Sequence, residues 1–159
     1  MTTASNKQPM PRFYFEDFSV GQILPLGQVT LDSAAIIEFA TRYDPQSFHV
    51  DEQAAASSPF GGLIASGWHT CAAIMRLMCD AYLLESASIG SPGVEDIRWK
   101  KPVRAGGTLT VQVEILETRP SRSKPGQGSI LTKVTAVNQH GEMAMTMESW
   151  CMLAARAAA

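Results

Sequence analysis

The chain carries no long run of Lys and Arg, and its 13 basic residues against 15 acidic ones give a formal net charge of −2. It therefore lacks the basic face that non-specific nucleic-acid binding needs. No stretch offers the roughly 18 uncharged apolar residues of a membrane span. The nearest candidate, residues 63–84, is interrupted by His69, Arg76 and Asp80. The first ten residues, MTTASNKQPM, have none of the apolar centre of a secretory signal. Cysteine is scarce and odd in number: Cys71, Cys79 and Cys151 all sit in apolar sequence. They read as buried thiols in a reducing compartment, which argues against a disulfide framework. A soluble cytoplasmic protein is the expectation.

What is present is apolar sequence in quantity. Hydrophobic residues make up 45% of 159 positions and charged ones 18%, which fits one folded domain and argues against disorder. Residues 1–12 are polar and read as a loose arm, 13–153 as a single domain, and 154–159 as a tail expected to fray. A first strand is expected over 23–30. A helix is expected over 33–43, with Asp32 as its N-cap and Ile36, Ala40 and Tyr43 on one face. Pro45 disfavours helix at Asp44 and should end it. A short helix near 52–57 and a glycine loop at Gly61 and Gly62 precede the longest helical segment, about 64–84. That segment is apolar on nearly every side, so it belongs in the middle of the fold. Beyond Gly93 the period changes to two. Strands are expected over 94–99, around Leu109, Val111, Val113 and Ile115, over 130–137 and over 143–153. The result is an α+β architecture, helices on one face of an antiparallel sheet.

Two stretches could carry chemistry. Asp44 and His49 stand five residues apart with Pro45 between them. Fully extended, that separation is roughly 17 Å, so only a folded loop lets the side chains meet. A carboxylate and an imidazole that meet can hold a water and move its proton. The same spacing also suits a plain Asp-Pro turn followed by a packed histidine. Gly61, Gly62 and Gly67 flank the start of the long helix, where free amides and the helix dipole favour a developing negative charge. They serve equally well as a tight turn and a close helix contact.

Taken together, the run through Phe39, Asp44, His49, Asp51, Phe60-Gly61-Gly62 and Ile64-Ala65-Ser66-Gly67 resembles the hydratase motif of the MaoC-like dehydratases. That family includes the (R)-specific enoyl-CoA hydratases. Lys101-Pro102 followed by Val103-Arg104-Ala105-Gly106-Gly107-Thr108-Leu109 resembles the family's strand entry. The resemblance implies a hot-dog fold, a long central helix wrapped by a curved antiparallel sheet, and a homodimer or a higher oligomer of dimers. It implies reversible addition of water to a trans-2-enoyl-CoA or related acyl thioester, with Asp44 and His49 as the acid–base pair and the Gly67 amide on the thioester oxygen. No metal or cofactor is implied beyond the coenzyme A of the substrate. The hydratases read Asp-x-Asn-Pro-x-His where this chain has Asp44-Pro45-Gln46-Ser47-Phe48-His49. Ser47 is set against their Asn, and Gln46 or Ser47 is the candidate substitute. Lys100, Lys101 and Arg104 could meet coenzyme A phosphates but read first as solvated charges at a strand end. His69, Cys71 and His140 read as structural or surface residues, and Arg76 with Asp80 as a solvated pair.

Two other activities suit the same resemblance. Hot-dog thioesterases usually place a carboxylate on the central helix, and the first turns here have none. A non-catalytic acyl-CoA-binding module would keep the shape without turnover.

Overall fold

Alternation decides the sheet. In β4 (Gly107–Pro120), Leu109, Val111, Val113 and Ile115 are buried while Thr110 and Gln112 face outward. β5 (Gln127–Asn138) buries Ile130, Val134 and Ala136, and β6 (Met143–Ala154) buries Met145, Met147, Cys151 and Leu153. Each strand thus has one core face and one outer face. With β1 (Ile23–Leu31), β2 (Ser88–Gly90) and β3 (Val94–Trp99) they form one antiparallel sheet in the order β1-β4-β5-β6. Both β2 and β3 pair with β6, at successive stretches of it. Register shifts between Pro25 and Gly27, and between Ile115 and Glu117, give the local bends that let the sheet curve. The structure, a computed structural model, describes residues 10–157.

The helices gather on the concave side. α1 (Ser33–Tyr43) starts at Asp32, whose carboxylate accepts from the Ala35 amide at 2.8 Å, and ends one residue before Asp44-Pro45 as expected. Ile36 and Ala40 are fully buried, but Tyr43 is 70% exposed. Its ring leaves the core face and packs on Phe39 instead. Two short helices follow, α2 (Ser47–Val50) and α3 (Glu52–Ala56); a single turn such as α2 leaves no periodic signal in sequence.

The central helix α4 (Gly67–Met78) is shorter than its apolar sequence suggested, and a π-helical turn, Cys79–Leu83, continues it. Residues 63–65 are apolar because they are buried as an extended segment, the Ala65 amide donating to the Val103 carbonyl at 2.8 Å. α4 lies on the sheet through Ile74 and Met78, and this is the hot-dog arrangement. Its other face is open in the single chain: Trp68 is 58% exposed and Met75 43%. The outer edge of β3 has no partner strand among the described residues, and Val94 and Trp99 on that strand are exposed.

Both ends of the described chain contact the body of the fold. Arg12 donates its amide to the Glu85 carbonyl, and residues 1–9 of the expected arm lie outside the described residues. Ala155 donates to the Gly126 carbonyl, and the Arg156 guanidinium grips both oxygens of Asp17 at 2.9 and 2.7 Å. A forked guanidinium facing a carboxylate makes two parallel hydrogen bonds, a contact that sequence alone does not reveal. Residues 158–159 lie outside the described residues.

Ile74 joins helix to sheet with no exposed surface. Ile74→Ala is expected to destabilise the fold by about 2–5 kcal/mol. Denaturant unfolding would show it as a lower midpoint with little change in slope.

Candidate active site

The loop after α1 folds back on itself, and the proposed pair meets. Asp44 Oδ2 lies 3.4 Å from His49 Nε2. The Gln46 amide bonding back to the Asp44 carbonyl, and the His49 amide to the Gln46 carbonyl, close the turn that Pro45 begins. His49 then sits on α2, 5% exposed, with the Phe48 ring edge-on to its imidazole.

The histidine's other nitrogen fixes its polarity. Nδ1 is 2.7 Å from the Ile64 carbonyl oxygen, which can only accept, so Nδ1 carries a hydrogen and donates it. In the neutral ring Nε2 is then bare and faces Asp44. The carboxylate is held from both sides: Ser66 Oγ donates to Oδ2 at 2.7 Å and Gln46 Nε2 to Oδ1 at 2.7 Å. Ser66 and then Gln46, aided by the charge of His49, hold the Asp44 carboxyl below its usual range, against the opposing effect of burial. An ionised carboxylate and a bare imidazole nitrogen are two acceptors facing each other. Their stable partner is a molecule with two donors, or one proton shared on the ring.

The pair opens on a cavity of about 420 Å³, lined also by Gly67, Trp68, Thr70 and Trp99. Gly67 is the first residue of α4, and its N–H has no hydrogen-bond partner among the described residues. The absence of a Cβ at Gly67 has an immediate cause in the Trp99 indole, which packs where that atom would stand; Trp99 Nε1 donates to the Gly67 carbonyl at 3.1 Å. Close packing is therefore visible at this glycine, while its free N–H is what the expected anion-binding role would use. Gly61 has a φ of +66°, which makes the tight turn before the buried 63–66 segment.

Sequence reasoning missed two partners of the pair. Ser66, which the motif alone gives no role, is fully buried, caps α4 by accepting from the Trp68 amide, and donates to Asp44. A serine directly before a helix start is an N-cap signal, and that signal was available. The Ile64 carbonyl had none, being backbone. The alignment of the motif also changes. Counted from Asp44, the family's Asn falls on Gln46, and it is Gln46 rather than Ser47 that reaches the carboxylate.

Of the three cations near the strand entry, Lys101 pairs with Glu142 at 3.1 Å and Arg104 donates to the Phe60 carbonyl at 2.6 Å. Lys100 lines the cavity and makes no ion pair among the described residues. His69 faces away from the cavity and stacks on Phe39 with centroids 4.6 Å apart, and its burial pushes its imidazole below the ordinary value. His140 is exposed in the β5–β6 turn, and Arg76 and Asp80 pair at 2.9 Å on the surface.

Residues 20–138 match the family model described as MaoC like domain. The chain belongs to this family. Among solved structures, a MaoC-like dehydratase from Rhodospirillum rubrum superposes with a TM-score of 0.85 at 36% identity, covering 92% of this chain and 99% of that one. The uncharacterized protein YdeM of Bacillus subtilis is 30% identical over 116 residues, 73% of this chain and 82% of that protein. A 3-hydroxybutyryl-CoA dehydratase of Methylorubrum extorquens is 29% identical over 116 residues, 70% and 69% of the two chains. Asp44, His49, Gly61, Gly62 and Gly67 all lie within the region matched to the MaoC-like model.

Two substitutions test this geometry. Gly67→Ala drives a Cβ into the Trp99 ring, so it is expected to lower thermal stability and shift tryptophan emission, and adding Trp99→Ala is expected to restore part of the loss. Ser66→Ala removes a helix cap worth about 1 kcal/mol and the main contact that depresses Asp44. A depressed carboxyl contributes stability above its unfolded pKa and loses it as pH falls through the folded one. The gap between Ser66→Ala and the parent in denaturant unfolding is therefore expected to be wide at neutral pH and to narrow in acid.

Proposed function

We propose that the protein is a hydratase/dehydratase that adds water reversibly to a trans-2-enoyl thioester, coenzyme A being the expected carrier, to give a 3-hydroxyacyl thioester. The observation that carries this reading is the facing of His49 Nε2 and Asp44 Oδ2 at the wall of a cavity. A water between them can donate one hydrogen to each and present its oxygen to Cβ of the substrate. As the C–O bond forms, a proton passes to His49 Nε2, the adjacent carboxylate stabilises the imidazolium, and the electron pair moves onto the thioester oxygen. The Gly67 N–H is placed at the head of a helix, where such an oxyanion is favoured. Return of the proton from the imidazolium to Cα completes the addition, and the reverse sequence expels water. Membership in the MaoC-like family, and the similarity to the Methylorubrum 3-hydroxybutyryl-CoA dehydratase, support this chemistry.

The reading includes a homodimer. The open face of α4 with Trp68 and Met75, and the free edge of β3 with Val94 and Trp99, are apolar surface and unpaired backbone that a second copy would cover. A thioesterase reading gains no support from the site, because Asp44 is the one carboxylate lining the cavity among the described residues.

The test is loss of the enoyl-thioester absorbance when the protein meets trans-2-enoyl-CoAs of short, medium and branched chain. Asp44→Asn and His49→Ala are each expected to lower hydration by about 10²-fold or more. Release of free coenzyme A in place of hydration would move the assignment to thioesterase. Binding of acyl-CoA with no turnover across the panel would make the protein a binding module.

A further inference from the structure

The cavity has a direction. Two segments of chain wall it and run antiparallel: 60–67, which leads into α4, and 99–104, which leads from the end of β3 toward β4. At one end the Trp99 indole packs on Gly67, and its Nε1 donates to the Gly67 carbonyl. In the middle the Ala65 amide meets the Val103 carbonyl, and Ile64 pairs with Arg104. At the other end the Arg104 guanidinium donates to the Phe60 carbonyl at 2.6 Å and lies against Gly62. The site is laid out along the same axis. The Gly67 amide stands at the tryptophan end, Ser66 beside it donates to Asp44, and His49 bonds to the Ile64 carbonyl further along. Past His49 come two rings. Phe48 is edge-on to the imidazole with centroids 4.5 Å apart, and Phe60 packs on Phe48 at 5.1 Å.

An enoyl thioester fits this axis in one sense. With its carbonyl oxygen at the Gly67 amide and its Cβ at the Asp44–His49 pair, the sulfur and carrier lie at the Trp68–Trp99 end. That end is exposed, and Lys100 borders it. The acyl chain beyond Cβ then runs toward Phe48 and Phe60, both half-buried. Phe60 is tied down at a tight turn: its amide donates to Ser58 Oγ, the Gly61 amide donates to the Ser58 carbonyl, and Arg104 holds its own carbonyl. Phe48, Phe60, Ile64 and Val103 line this part of the cavity with apolar side chains, which suits hydrocarbon. We infer that Phe60, latched by Arg104, is a specificity-determining residue that ends the acyl part of the cavity and confines the site to short hydrocarbon acyl groups. The inference rests on the proposed function for the orientation of the substrate. A ring held in this way resists added methylenes, because making room for them forces packed side chains out of their preferred rotamers.

The experiment uses the full chain and follows kcat/KM for trans-2-butenoyl-CoA and trans-2-octenoyl-CoA. The parent is expected to prefer the butenoyl substrate by about tenfold or more, the scale on which a closed apolar pocket separates chains that differ by methylenes. Phe60→Ala is expected to raise the octenoyl-to-butenoyl ratio by about tenfold or more, with Phe60→Leu between it and the parent. Arg104→Met, which keeps the stem and removes the donor, is expected to move the ratio the same way by a few-fold. Trp99→Phe, at the carrier end, is expected to change both substrates alike. Loss of folded protein lowers both rates together and leaves the ratio unmoved, so the ratio reads the wall and not the stability. A parent that hydrates both chains equally well overturns the inference. So does a ratio unchanged in both Phe60 variants, or one shifted by Trp99→Phe instead. Calorimetric binding of butanoyl-CoA and octanoyl-CoA to the same proteins gives a readout that needs no turnover. If the parent hydrates neither enoyl thioester, the proposed function fails, and the calorimetric ratio still decides whether Phe60 limits the chain.

Discussion

One buried hydrogen bond sets the terms for the whole site, that from His49 Nδ1–H to the carbonyl of Ile64. It ties the short helix after α1 to an extended segment that leads directly into α4. The segment is itself fixed on its other side, where the Ala65 amide meets the Val103 carbonyl beside the entry to β4. The Phe48 carbonyl accepts from the Ile64 amide, so the two strands of the loop are laced in both directions. In a buried, poorly solvated place these bonds are costly to break, since each would leave a polar group without water. The position of His49 is thereby transmitted from the sheet, not from the loop that carries it.

The same segment ends in Ser66, which joins the two halves of the proposed site. Its backbone starts α4, and its hydroxyl accepts from Trp68 while donating to Asp44. The carboxylate and the helix terminus that bears the free Gly67 amide are thus referenced to one residue. Fixed dipoles aimed at a reacting centre do their work without reorganising when charge develops. The cavity they border is walled by Trp99, whose packing on Gly67 requires the absence of a side chain there. The free edge of β3 and the open face of α4 border this wall through Trp99 and Trp68, which pack edge-on with centroids 5.4 Å apart.

Sequence reading recovered what periodicity and capping encode. The alternating residues of β4, the Asp32 cap and the stop before Pro45 each follow from local chemistry, and each stands where expected. It over-read α4, because burial and helicity leave the same apolar signature in residues 63–65 and only pairing with 103–104 tells them apart. It misplaced Tyr43, whose spacing matched the buried face but whose ring found a neighbour on its own helix. It could not see that Arg156 reaches Asp17, a contact between residues 139 positions apart. At the site, Asp44 and His49 were legible through the motif, and their partners less so. Backbone acceptors such as Ile64 have no identity in sequence, and Gln46 became meaningful once the turn brought its amide to the carboxylate.

The central claim is that the histidine is preset with its bare nitrogen toward Asp44. The most direct measurement is the nitrogen-15 NMR of the His49 ring in the ligand-free protein, which reports the tautomer of the neutral imidazole. The expected result is a hydrogen on Nδ1 and an unprotonated Nε2. A neutral ring with its hydrogen on Nε2, donating to Asp44, would contradict it, for then no acceptor on the histidine would remain to take a proton from water.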